Sequence, residues 1–182
     1  MKVAKARTRG RAAAATEGSV AASDGLAHVP RVLALWRQAQ GWPAGPWLFS
    51  WAVCRTAPYF GSISPRVVEL TPGRCVARIT DRRSVRNHLG TVHAIALCNL
   101  AELAAGVMID ASLPASMRWI PKGMTVEYLK KAIGTMHGVA TPDIALVESP
   151  SGYELPVTVL VSNDAGEAVF RASIAMWVSP RR

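Results

Sequence analysis

The sequence predicts an α+β fold: one long central helix wrapped by a curved antiparallel sheet, with a helical segment placed before it. Three observations carry this expectation. The run from Thr91 to Ile109 is almost wholly apolar and helix-compatible, so it is apolar all round and must be covered all round. Two strand signals precede that run and about four follow it, with connections short enough to make them antiparallel. The first 27 residues have almost no large apolar side chains, so the core must come from the rest of the chain.

Taken in order, residues 1–27 read as a disordered basic arm, "MKVAKARTRGRAAAATEGSVAASDGLA", rich in Ala, Gly, Ser and Arg. Such a segment cannot bury enough surface to offset its ordering entropy. Its composition is also that of a transit peptide, but it lacks the apolar region of a secretory signal. Residues 28–57 read as an N-terminal helical segment. "PRVLALWRQAQ" is opened by Pro30 and stopped at Gly41, and "PWLFSWAVCR" follows the turn "GWPAG". Four of the six tryptophans (Trp36, Trp42, Trp47 and Trp51) stand here. A helical hairpin packed on the core is favoured over a lid on a pocket or a membrane contact.

Residues 58–182 hold the wrapped helix. "RVVEL" and "RCVARIT" flank the turn "TPG". After the helix come "GMTVEYLKKA", "MHGVAT", "PVTVLVSN" and "AVFRASIAMWVS", the last two joined by the polar loop "NDAGEA".

Composition narrows the function classes. With half its 182 residues hydrophobic and 18% charged, the chain can build one real core with appendages. His93, Asn99 and Glu102 interrupt the longest apolar run, so a soluble protein is expected. Cys54, Cys75 and Cys98 form no close pair and no zinc spacing, and read as reduced, packed thiols in the cytoplasm. No metal or redox cofactor is implied. The net charge of +9 draws +3 from the arm and is otherwise spread out, without the aromatic interleaving of an RNA-binding sheet. A basic groove for an anionic small ligand explains it equally well, and nucleic acid ranks second.

Glu102 is the anomaly. A carboxylate without a counter-charge in an apolar helix costs several kcal/mol or shifts its pKa. Fifteen residues earlier stands Asn87; six residues after Asn87 stands His93, and nine after His93 stands Glu102. With "GTVH", "LAELA" and "WIPKGMTVEYLKKA" around them, these spacings resemble the hotdog-fold acyl-CoA thioesterases over roughly Pro58 to Val178. The likeness is greatest to the phenylacetyl-CoA thioesterase type and a related bacterial thioesterase-like family. The usual pair of glycines after the histidine is Ala94 and Ile95 here.

That resemblance implies the roles. Glu102 is the base or the nucleophile, and Asn87 orients water or holds the acyl oxygen. The Ala94 N–H, at the positive end of the helix, stabilises the oxyanion. His93 holds the loop geometry. Arg82, Arg83 and Arg86 precede the motif loop, where they can bind coenzyme A phosphates or simply be solvated. Asn99 reads as a structural hydrogen-bonder. The expected substrate is an acyl-CoA or an acyl carrier protein thioester. A non-catalytic acyl-CoA or lipid-binding module is the alternative that the missing glycines favour.

Helix geometry adds a consequence to the roles that the resemblance implies. Ala94 and Glu102 lie eight residues apart on one helix, about 12 Å along its axis. They cannot both touch one carbonyl group, so a shared site requires a homodimer with antiparallel helices, or a dimer of dimers.

Overall fold

In the computed structural model the described residues are 29–181, and the basic arm expected at 1–27 lies outside them. Two helices, α1 (Arg31–Gln40) and α2 (Gly45–Thr56), form a hairpin and lead through a short 3-10 turn at Pro58–Ile63 into strands β1 (Arg66–Thr71) and β2 (Arg74–Ile79). The central helix α3 spans Ala94–Asp110; β3 (Met117–Tyr128), β4 (Met136–Pro142), β5 (Tyr153–Ser162) and β6 (Ala168–Pro180) follow. The six strands make one sheet in the order β1-β2-β4-β5-β6-β3, with every neighbouring pair antiparallel.

The sheet curls around α3. Alternate residues of each inner strand point at the helix and are buried: Cys75, Ala77 and Ile79 on β2, Leu155, Val157, Val159 and Val161 on β5, and Phe170, Ala172, Ile174, Met176 and Val178 on β6. Helix and sheet approach closely where side chains are smallest. A Cβ on Gly138 of β4 would meet Leu100 at 3.2 Å, and one on Gly106 of α3 would meet Trp119 at 3.0 Å. The helix is buried from Leu103 to Ile109, as an all-apolar helix must be.

β3 differs from the sequence expectation, which began this strand at Gly123. It starts at Met117 and pairs along its length with β6, with a bulge between Pro121 and Gly123. Pro121 has no N–H for a ladder, but β3 is an edge strand, where a missing donor costs little. Its outer edge is unpaired among the described residues, and Ile120 on it is exposed.

The hairpin is fastened to the core by Trp36 and Phe49, whose rings meet edge-on with centroids 5.1 Å apart. Ser50 ties α2 to the sheet: its buried hydroxyl accepts the Val67 N–H at 2.9 Å and donates to the Pro46 carbonyl at 2.7 Å. The expectation of a packed hairpin holds for its inner face alone. Trp42, Trp47 and Trp51 point outward.

Gly45 lets the hairpin close, because a Cβ there would lie 1.6 Å from the Ala39 carbonyl oxygen. Gly45→Ala should therefore lower unfolding free energy by about 2 kcal/mol in urea titration, the scale of an overpacked core. Gly123→Ala, where a Cβ meets nothing within 4 Å, should change it by less than about 0.5 kcal/mol.

Candidate active site

The site is built at the N-terminus of α3 by the loop that delivers the chain to it. After β2, Asp81 accepts two hydrogen bonds from the Arg86 guanidinium, at 2.7 and 3.1 Å. These bonds hold the Asp81 carboxyl below the usual carboxylate range. Arg82 donates to the carbonyls of Ile63 and Ser62 and to the hydroxyls of Ser64 and Ser84, clamping the loop onto the 3-10 turn before β1. Of the three arginines expected to meet coenzyme A phosphates, Arg82 and Arg86 are thus engaged within the chain. Among the described residues, only the Arg83 guanidinium of that trio has no partner.

Asn87 turns the loop. Its Oδ1 accepts the N–H of Leu89 at 2.9 Å and of Thr91 at 3.2 Å, and its Nδ2 donates to the Thr91 hydroxyl at 2.9 Å. Both of its oxygen lone pairs are used, which leaves one amide N–H free to donate. Gly90, with φ of 76°, completes the reversal. The chain is then fixed to its surroundings by Val92 N–H to the Ala132 carbonyl and His93 N–H to the Val85 carbonyl, both 2.8 Å.

His93 caps α3 through its ring. Nδ1 accepts the Ile95 N–H at 3.1 Å, which places the neutral ring's proton on Nε2. The His93 carbonyl takes the N–H groups of Ala96 and Leu97, at 2.9 and 3.3 Å. Of the four donors at the helix start that have no i→i−4 acceptor, those of His93, Ile95 and Ala96 are satisfied, by the Val85 carbonyl, the His93 ring and the His93 carbonyl. Ala94 N–H has no acceptor among the described residues. It is half-buried at the helix end, where the dipole favours negative charge.

Glu102 lies two turns further along. Four residues of α3 between Ala94 and Ile109 escape full burial (Ala94, Ile95, Cys98 and Glu102), and they form one stripe at helical spacing. Glu102 is half-buried on that stripe. No Arg, Lys or hydrogen-bond donor among the described residues meets its carboxylate. A core ion pair, the structural explanation for such a residue, is therefore absent within the described chain. Between Ala94 and Glu102, Cys98 Sγ lies 3.5 Å from the Tyr128 hydroxyl on edge strand β3. That contact, with partial burial, pushes the Tyr128 hydroxyl up to about 12, so the phenol stays protonated.

A small pocket of about 190 Å³ opens beside this helix end, lined among others by Tyr59, Ser62, Val85, His93, Ile95 and Asn99. Larger hollows exist elsewhere, including one of about 410 Å³ on the α1–α2 hairpin, but none of them holds this loop. Asn99 is buried and donates to the Ser62 hydroxyl at 3.2 Å, while its Oδ1 has no partner. The sequence singled out neither Tyr59 nor Ser62. Both stand in a 3-10 turn far from the motif, and only the fold brings them to it. Among the described residues, no cluster of three His, Cys, Asp or Glu side chains suits a metal ion.

Residues 45–178 match the family model described as a domain of unknown function, DUF4442. The chain belongs to that family. Among solved structures, the chain is similar to the structural-genomics protein APC5556, with 47% identity, a TM-score of 0.70, and coverage of 82% of this chain and 99% of that one. It is also similar to a Pseudomonas aeruginosa protein of unknown function named a probable thioesterase, at 20% identity and TM-score 0.63, covering 71% and 91%. A thioesterase family protein from Silicibacter pomeroyi matches at 15% identity and TM-score 0.60, covering 80% and 99%. No curated protein matches the chain. The DUF4442 chain thus has the hotdog fold of thioesterase-family proteins, the fold its motif spacing led one to expect.

The loop network yields a direct test of the arginine assignments. Arg82→Ala should lower unfolding free energy by about 1–3 kcal/mol, since it strands several acceptors at once. Arg83→Ala should leave stability within about 0.5 kcal/mol, as for a solvated side chain. Thermal melts of the two variants check this, and an effect on coenzyme A affinity is cleanly readable only from Arg83→Ala.

Proposed function

We propose that the protein hydrolyses acyl thioesters at a site completed by two copies of the chain. The observation that carries this reading is Glu102: a half-buried carboxylate on a buried helix with no counter-charge among the described residues. An unpaired N–H at Ala94 and a small pocket beside it supply the second half of the chemistry. Since the two groups are about 12 Å apart along α3, each site takes Ala94 from one protomer and Glu102 from the other, with the two helices antiparallel. The open stripe on α3 and the unpaired edge of β3 are the surfaces available for that pairing.

In this arrangement the thioester carbonyl oxygen accepts a hydrogen bond from Ala94 N–H. Glu102 takes a proton from a water molecule as its oxygen bonds to the carbonyl carbon. The charge that develops on the carbonyl oxygen is held by the N–H and the helix dipole. Collapse breaks the C–S bond and the thiolate leaves with the proton, giving a carboxylic acid and a free thiol. Direct attack by the carboxylate, through an anhydride, satisfies the same geometry. Asn87 holds the loop through its Oδ1 and one amide N–H and has the other N–H left to orient water or hold the acyl oxygen, while His93, through the cap, fixes the helix end that frames the carbonyl. An acyl-CoA is the substrate class proposed, and Arg83 is the one cation of the loop trio available for its phosphates. A reducing, cytoplasmic setting agrees with three free cysteines.

One observation favours a binding protein instead. Ile95 is 54% exposed and lines the pocket mouth, where its branched side chain narrows the approach. Free-thiol release from a panel of acyl-CoAs separates the readings: hydrolysis supports the enzyme, and saturable binding without thiol release supports the module.

Glu102→Gln keeps side-chain size and removes the charge. Thioester turnover should fall at least about a hundredfold, the scale of general-base catalysis. Thermal stability should hold or rise, because an amide lacks the desolvation cost of a carboxylate. An active but less stable variant would show Glu102 to be a structural partner.

A further inference from the structure

The outward face of the α1–α2 hairpin has no role in the chemistry above. α2 buries Gly45, Phe49 and Ser50 on its inner side. On the opposite side, Trp47, Leu48, Trp51 and Ala52 are exposed at helical spacing, and Arg55 follows one turn later. α1 adds the exposed Leu35, and the turn between the helices adds Trp42, which is 67% exposed. α2 is therefore apolar toward the core and apolar toward solvent. Trp42 lines a hollow with Leu35 and Leu48, and Trp47 and Trp51 line a second one on the same hairpin. Exposed large apolar side chains gathered on one short segment mark an interaction site.

Charge identifies what it meets. Between residues 29 and 68 the chain has four arginines and no Asp or Glu. Arg31, Arg37, Arg55 and Arg66 are all exposed, and Arg55 lies over the Trp51 ring, 5.6 Å from its centroid. Among the described residues, the indole N–H groups of Trp42, Trp47 and Trp51 have no acceptor, so they are free to donate to phosphate and ester oxygens. Arg66 lines a hollow together with Trp47 and Trp51, whereas Arg31 stands near Asp110 at the other end of α1. Exposed tryptophans flanked by Arg55 and Arg66 match the boundary between headgroups and acyl chains of an anionic bilayer. The helices have 10 and 12 residues, too short to cross a bilayer and long enough to lie on one.

We infer that the Trp42–Trp47–Trp51 face of the hairpin docks the protein on anionic lipid surfaces. The inference is independent of the thioesterase reading, since it uses none of the residues near Ala94 or Glu102. The hairpin runs directly into the 3-10 turn whose Tyr59 and Ser62 line the small pocket, so docking would bring that pocket close to the lipid.

The full chain should co-sediment with vesicles of equal parts phosphatidylcholine and phosphatidylglycerol, and not with phosphatidylcholine alone. Tryptophan emission should shift to the blue on binding, and added salt should weaken it. Trp42→Ala/Trp47→Ala/Trp51→Ala should partition at least about tenfold less, while keeping its melting temperature. Arg37→Gln/Arg55→Gln should weaken binding to anionic vesicles with the tryptophans in place. Three results would overturn the inference: no binding to anionic vesicles; binding that survives the triple variant and disappears on deleting residues 1–27; or a change of oligomeric state in the triple variant, which would give the face to a second copy.

Discussion

A helix that is apolar on every side can exist in water only if something surrounds it, and in this chain one curled sheet does the surrounding. Strands β2, β4, β5 and β6 supply the inner wall, with Gly138 and Gly106 marking where the layers come closest. Leu103 to Ile109 of α3 and the inward residues of the strands are buried against one another, each Å² of apolar surface removed from water contributing about 25 cal/mol. This six-stranded sheet is open, with β1 and β3 at its two edges, and does not close around α3. The gap it leaves is the stripe of Ala94, Ile95, Cys98 and Glu102 beside the free edge of β3. Fold and proposed chemistry meet in that gap: the only carboxylate of the mid-helix lies where the covering fails.

The helix end follows the same logic of groups answered and groups left open. A helix N-terminus presents four donors without an intrahelical acceptor. The His93 ring and carbonyl accept from Ile95 and Ala96, the Val85 carbonyl accepts from His93, and the loop behind is held by Asn87, Asp81–Arg86 and the Arg82 clamp. The donor left over belongs to the first residue of the helix, where the dipole is strongest. A site of this kind needs no side-chain electrophile. The proposed site needs a cap that stops one N–H short, and the hydrogen bonds of residues 81–93 leave Ala94 N–H without an acceptor among the described residues.

The sequence made the architecture legible because its patterns were extreme. An apolar helix broken only by Asn99 and Glu102, and strands with period-two alternation such as "PVTVLVS", admit few folds. The Asn87–His93–Glu102 spacing pointed to one region; the structure places Asn87 in the loop that leads into α3 and His93 at its N-cap, and gives Glu102 no partner among the described residues. Other features were hidden. The beginning of β3 was obscured by Pro121, whose tolerance depends on being at an edge, a tertiary fact. The engagement of Arg82 with carbonyls of residues 62 and 63 rests on a contact across some twenty residues of chain, which no local pattern encodes. The direction of the tryptophans was hidden too: α2 is apolar on both faces, so periodicity could not tell the inner side from the outer. Asn99 was readable as a hydrogen-bonding residue, but its single partner, Ser62, and its unanswered oxygen were not.

The central claim is that a site is shared between chains, and complementation tests it most directly. Ala94 is the first residue of α3, a position where proline is tolerated, and His93 has the extended backbone (ψ 140°) that precedes proline readily. Ala94→Pro thus removes the one unanswered N–H without breaking the helix. Homodimers of Ala94→Pro and of Glu102→Gln should each be nearly inactive toward acyl-CoA. Unfolded together and refolded as an equal mixture, they should recover about a quarter of wild-type turnover, since half the dimers are mixed and each mixed dimer has one intact site. Mixed dimers that form, as seen by mass spectrometry of the intact assembly, yet recover no turnover would contradict a shared site and return Ala94 and Glu102 to separate roles.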